Sequence, residues 1–124
     1  MADGKQLILY VEDDQDFIEV MKVILDRNGY DVVTATSAEQ GLKAWKQHQP
    51  DLIIADLMME EVDAGTNMVT DLRAAGNTAP IIMLSSVGDD LSQTMDASQL
   101  GLAGVMQKPV NEDRLIKLIK SKLG

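Results

Sequence analysis

The reactive side chains of this sequence each follow a short apolar run. Glu12-Asp13-Asp14 come directly after Leu7–Val11, Asp56 ends the run that starts at Leu52, Ser85 follows Leu84, and Lys108 follows Gln107. Brought together, these residues would set several carboxylates beside one hydroxyl and one ammonium. Two carboxylates about 4 Å apart repel by roughly 4 kcal/mol at an effective dielectric near 20. Such a group must protonate, spread apart or hold a cation. All-oxygen donors with open water positions suit Mg²⁺ better than zinc. A single ammonium does not balance three acids, so Lys108 and Ser85 read as anion ligands beside a divalent cation. That combination is a phosphoryl site.

Each residue alone has a plainer explanation. An Asp after a strand is commonly a turn or capping residue. Glu12, Asp13 and Asp14 also suit the first turn of a following helix, where acids complement the dipole, and Asp14 reads that way. Ser85 alone is an ordinary loop hydroxyl, and Lys108 before Pro109 an ordinary surface lysine. Their coincidence at four run ends, in one order, favours the shared site.

That coincidence needs a scaffold that gathers run ends. Leu7–Val11 is continuously apolar, the pattern of a strand buried on both faces. Phe17, Val20, Met21, Ile24 and Leu25 then recur at helical spacing, and Gly29 stands where a helix end favours a left-handed residue. A second strand reads over Asp31–Ala35. Ser37 with Gln40 suggests a capping box ahead of a helix carrying Ala38, Gly41, Leu42 and Trp45 on one stripe, stopped by Pro50. The third strand reads over Asp51–Asp56, and a weaker helix around Met68, Val69 and Leu72 ends near Gly76. Strand four is Pro80–Leu84, a poorly amphipathic helix covers Leu91–Leu100, and strand five is Ala103–Gln107. Asn111 caps a last helix with Leu115, Ile116, Leu118 and Ile119 on its apolar side, acids in its first turn and lysines toward its end.

Five strands alternating with helices predict an α/β fold: a doubly wound parallel sheet flanked by five helices. In such sheets the working site lies at the carboxyl ends of the strands, beside the switch in strand order.

Composition narrows the function. The chain has 124 residues, room for one domain spanning 1–124. It has no cysteine, which excludes disulfides and thiolate chemistry, and its one histidine, His48, rules out a His-rich metal centre. Twenty acids against eleven bases give a net charge of −9, which repels phosphate backbones, so direct nucleic-acid binding is not expected. No apolar run is long enough for a membrane span and the N-terminus lacks a secretory pattern, so a cytoplasmic location is expected. Trp45 and the methionines Met21, Met68, Met83 and Met106 fall on expected core faces and read as packing.

Four motifs carry a resemblance covering Leu7 to about Leu123. They are Val11-Glu12-Asp13-Asp14, the segment 51–59 around Asp56, Pro80-Ile81-Ile82-Met83-Leu84-Ser85, and Lys108-Pro109. The sequence resembles the receiver domain of bacterial two-component response regulators, the CheY-like family. The resemblance implies a flavodoxin-like strand order 2-1-3-4-5. It implies Asp56 as phosphoacceptor from a histidine kinase or histidine phosphotransfer protein. Mg²⁺ would be held by Asp13, by Glu12 through water, by Asp56 and by the backbone carbonyl of Met58. Ser85 and Lys108 would contact phosphoryl oxygens, and the Lys108-Pro109 bond would be cis. Phosphorylation would switch the face built from the fourth helix, fifth strand and fifth helix, with output through an unidentified partner because no output domain is expected. On this reading the chain phosphorylates itself and loses the group slowly; it is not a turnover enzyme. A Mg²⁺-dependent aspartyl phosphatase is disfavoured because Met58 stands where a second acid is needed. A docking domain of the same fold that works without phosphorylation is the other alternative.

Four positions depart from the family pattern. Glu60 and Glu61 stand where proline and glycine are usual, the stretch 62–67 is one residue longer, Ser86 replaces Ala or Gly, and Val105 replaces an aromatic. The added acids are expected to hinder small anionic donors, and Val105 to mute the response on strand five, since valine lacks the reach and second torsion of an aromatic ring. The whole reading requires residues 13, 56, 85 and 108 to meet within a few ångströms, with position 56 open to solvent and not packed away from it.

Overall fold

Each apolar run pairs with its neighbours in register. The computed structural model describes residues 6–56, 71–85, 104–107 and 110–123, with the backbone alone at 85, 105 and 107. Its strands are β1 (Leu7–Val11), β2 (Asp31–Ala35), β3 (Leu52–Asp56), β4 (Ile81–Ser85) and β5 (Gly104–Gln107). All pair in parallel in the order β2-β1-β3-β4-β5, the order implied by the resemblance. The chain leaves β1 for one edge and returns to its other side at β3, so the switch in strand order lies between β1 and β3.

Alternation along the strands divides the core into two layers. Leu9, Val11, Ile53, Ala55, Ile81 and Met83 face one side, packed with Trp45 and Leu72. Ile8, Tyr10, Ile54, Ile82 and Leu84 face the other, packed with Ile18, Met21, Leu25, Leu115 and Ile119. Helix α2 (Ala38–His48) covers the first face. Helix α1 (Gln15–Arg27) and the C-terminal helix (Glu112–Leu123) cover the second. Residues 71–74 are also helical. The helix expected over Leu91–Leu100 lies outside the described residues, as does Met68.

Helix ends follow local chemistry. Asp14 is the N-cap of α1, accepting from the Asp16 N–H at 2.9 Å. Gly29 adopts φ 88° just beyond that helix, where the Tyr30 N–H bonds back to the Leu25 carbonyl. Ser37 caps α2 through the Gln40 N–H, but the return leg differs from a capping box. Gln40 Oε1 accepts from the N–H and the hydroxyl of Thr36, one residue upstream of the cap. Asn111 Oδ1 accepts from the Arg114 N–H and caps the C-terminal helix as expected.

Two expectations need correction. Val20 fits the apolar spacing of α1 yet is 56% exposed, because the helix buries Ile18, Met21, Ile24 and Leu25 and Val20 lies outside that buried stripe. The third and fourth strands start one residue later than expected, at Leu52 and Ile81. Asp51 instead holds the end of β1: its N–H donates to the Leu7 carbonyl and its carboxylate accepts from the Leu7 N–H.

Candidate functional site

The register of the sheet assembles the acidic rim. Val11 pairs with Ala55, so one residue further the chain sets Glu12 alongside Asp56. Asp56 pairs with Leu84 on its other side, which puts the backbone of Ser85 one step beyond it at the end of β4, opposite Gln107 of β5. Glu12, Asp13 and Asp56 each bring a carboxylate oxygen within 4.8 Å of the others. Three of the four acids expected at this rim therefore meet, and the fourth, Asp14, is occupied as the helix cap.

The cluster grades from buried to open. Glu12 is 0% and Asp56 2% exposed, whereas Asp13 is exposed. This corrects the expectation that position 56 stands open at the rim. The carboxylate of Asp56 closes the end of a strand buried on both faces, and the exposed Asp13 is the cluster's solvent-facing member. Lys108, Met58, Pro109, Ser86 and the stretch 60–67 lie outside the described residues. So does the Ser85 side chain.

Glu12 is tied into the framework from below. Tyr10, two residues earlier on the same face of β1, donates its hydroxyl proton to Glu12 Oε1 at 2.7 Å, and the Asp14 N–H reaches Oε2 at 3.3 Å. The Glu12 N–H donates to the Ala35 carbonyl, continuing the β1–β2 ladder past the strand end. Burial raises the Tyr10 hydroxyl far above the ordinary phenol range. The bond to Glu12 and the charges of Glu12, Asp56 and Asp14 add to the effect, so Tyr10 stays a proton donor at any working pH. Sequence reading passed over Tyr10 as one more member of an apolar run. The available signal was its spacing: residues two apart on a strand share a face, so a phenol before Glu12 points along the same side.

The donor set fits a hard divalent cation. Three carboxylate oxygens within 4.8 Å, two of them on side chains withdrawn from water, form a donor set whose mutual repulsion a bound cation would relieve. Asp13 and the water it faces supply the open side that Mg²⁺ keeps. The N-terminus of α1, beginning at Gln15, adds a favourable dipole beside the same acids.

The chain is similar to known proteins over nearly its whole length. Residues 8–120 match the family described as "Response regulator receiver domain". The Chemotaxis protein CheY of Bacillus subtilis is 34% identical over 117 residues, covering 93% of this chain and 96% of that one. The Transcriptional regulatory protein GlrR of Escherichia coli is 32% identical over 94% of this chain. This chain spans only 26% of GlrR's length. Among solved structures, a CheY-like response regulator receiver domain protein from Methanospirillum hungatei superposes with a TM-score of 0.86 at 27% identity, over 97% of this chain and 94% of that one.

Proposed function

This chain belongs to the response regulator receiver domain family, a CheY-like receiver of two-component systems, and from that premise we propose that Asp56 is its phosphoacceptor. The observation that carries this reading is the meeting of Asp56 with Glu12 and Asp13 at the carboxyl ends of β3 and β1.

The chemistry asks little covalent work of the protein. An Asp56 oxygen attacks the phosphorus of a donor phosphohistidine, the N–P bond breaks, and the chain is left with an aspartyl phosphate. A carboxylate is already deprotonated, so no general base is needed, and catalysis reduces to positioning and charge neutralisation. Mg²⁺, when bound, neutralises charge on the transferring group; Asp13, Glu12, Asp56 and the Met58 carbonyl are the residues to hold it. Lys108 pairs with one phosphoryl oxygen and Ser85 donates a hydrogen bond to another. The donor is a histidine kinase or histidine phosphotransfer protein, and output runs through a partner that recognises the phosphorylated face, with Val105 muting the response of β5. The chain acts on itself once per phosphorylation, not as a turnover enzyme, and works in the cytoplasm. Among the described residues no helix is long and apolar enough to cross a membrane.

The 2% exposure of Asp56 favours a second reading, a docking domain that keeps the fold without accepting phosphate. One experiment separates the two. Intact-mass spectrometry after incubation with acetyl phosphate and Mg²⁺ is expected to show the gain of one phosphoryl group, absent in Asp56→Asn. No gain in the wild type supports the docking reading instead.

A further inference from the structure

We infer that Tyr10 is a positioning residue for the cation site, setting the orientation of Glu12 through its hydroxyl. The inference rests on the reading of Glu12, Asp13 and Asp56 as the cation-holding set.

Three observations carry it. The Tyr10 hydroxyl and Glu12 Oε1 are 2.7 Å apart, the short separation of a hydroxyl donating to a charged carboxylate. Tyr10 is itself fixed: it is 0% exposed and packs with Ile18, Leu84 and Leu115 in the layer between the sheet, α1 and the C-terminal helix. Glu12 is equally buried, and its other oxygen is met by the Asp14 N–H. The bond therefore links the helix-packed core to one of the three acids. A side chain held by core packing holds the carboxylate in turn.

The physical consequence is preorganisation. Three like-charged carboxylates drift apart unless something holds them, and a cation must then recover the cost of gathering them. A donor on Glu12 lowers that cost by keeping its oxygens aimed toward Asp13 and Asp56 before the ion arrives. Partners that orient a metal ligand in this way are worth about tenfold or more in affinity. The core explains the use of tyrosine: phenylalanine would fill the same volume but leave the buried Oε1 without this donor.

The test is calorimetric titration of the full chain with MgCl₂, without any phosphoryl donor. Tyr10→Phe is expected to weaken Mg²⁺ binding by about tenfold. In a Glu12→Gln background the same substitution is expected to change affinity less than twofold, because the effect passes through the carboxylate. Equal affinity in wild type and Tyr10→Phe overturns the inference and leaves the cation reading intact. So does an unchanged tenfold loss in the Glu12→Gln background, which would mark a merely structural role. No Mg²⁺ binding by the wild type overturns both. Should Tyr10→Phe fail to fold, the wild type labelled with 3-fluorotyrosine is used, its two ¹⁹F signals assigned with Tyr30→Phe. The position-10 signal is expected to move on adding Mg²⁺ while the position-30 signal stays; a stationary position-10 signal overturns the inference.

Discussion

Strand β3 carries an aspartate at each end, and the two do opposite things. Asp51, just before the strand, is exposed and directs its carboxylate to the Leu7 N–H at 2.8 Å while its own N–H bonds the Leu7 carbonyl. Asp56, at the other end, is buried and lies within 4.8 Å of two further carboxylates. The amino-end rim resolves its polar groups within the protein. Asn77 shows the same habit there: its Oδ1 accepts from the Trp45 indole N–H and the Ala79 N–H, and its amide donates to the Ala79 carbonyl. The carboxyl-end rim concentrates like charge where the strand order switches. One rim pairs its polar groups within the fold, and the other gathers carboxylates whose repulsion a bound cation would offset.

The largest expected effect lies at the charged rim. A Mg²⁺ concentration of about 100 times the dissociation constant is expected to stabilise the wild type by roughly 2.7 kcal/mol, since the ion binds only the folded chain. Asp13→Asn is expected to remove that increment and Asp51→Ala to keep it, read as urea midpoints with and without MgCl₂. Loss of the increment in Asp51→Ala would mean that the two rims are not separate in function.

Next comes the amino-end rim. Asn77→Ala takes the acceptor from the largely buried Trp45 indole and from the Ala79 N–H, at an expected cost of about 2 kcal/mol. The chain has one tryptophan, so urea unfolding followed by its fluorescence reads this directly, and Mg²⁺ affinity is expected to stay at the wild-type value. Asp51→Ala is expected to cost less, about 1 kcal/mol, because its bond to the Leu7 N–H is exposed.

The smallest effect is a pH dependence away from both rims. Arg27 and Asn28, at the end of α1, bond the Glu112 carboxylate at the start of the C-terminal helix. The Arg27 bond, followed by that of Asn28, lowers the Glu112 pKa below its usual 4.5. A carboxylate whose folded pKa is depressed contributes stability above the unfolded pKa, and that contribution fades as pH falls through the folded value. Wild type is therefore expected to exceed Glu112→Gln slightly in urea midpoint at neutral pH, with the two converging below about pH 4.5. The gap is also expected to shrink in high salt, because the pair is exposed. A gap that persists in acid would mean that the pair acts through shape and not charge.

Much of the scaffold was legible because its signals are local. Continuous apolar runs marked β1, β3 and β4, and Ser37, Gly29 and Asn111 marked helix ends where their hydrogen bonds now stand. The acids of the site were legible for the same reason, each standing directly after its run. The exposure of Val20 was not legible, because helical spacing tells which residues share a stripe, not how wide a stripe the sheet covers. Tyr10 was missed because an aromatic inside an apolar run already has a sufficient explanation in packing.

By itself the chain's order of residues determined the alternation of strands and helices, the parallel sheet, and the acidic character of one set of strand ends. These follow from periodicity, capping and charge, which act over a few neighbouring residues. Only the tertiary structure decided that Glu12 and Asp56 are buried while Asp13 is exposed, that Asp51 turns to the backbone, and that a phenol from the core holds Glu12. Burial and hydrogen-bond partners depend on which distant elements close over a residue, and that is set when α1 and the C-terminal helix pack on the sheet.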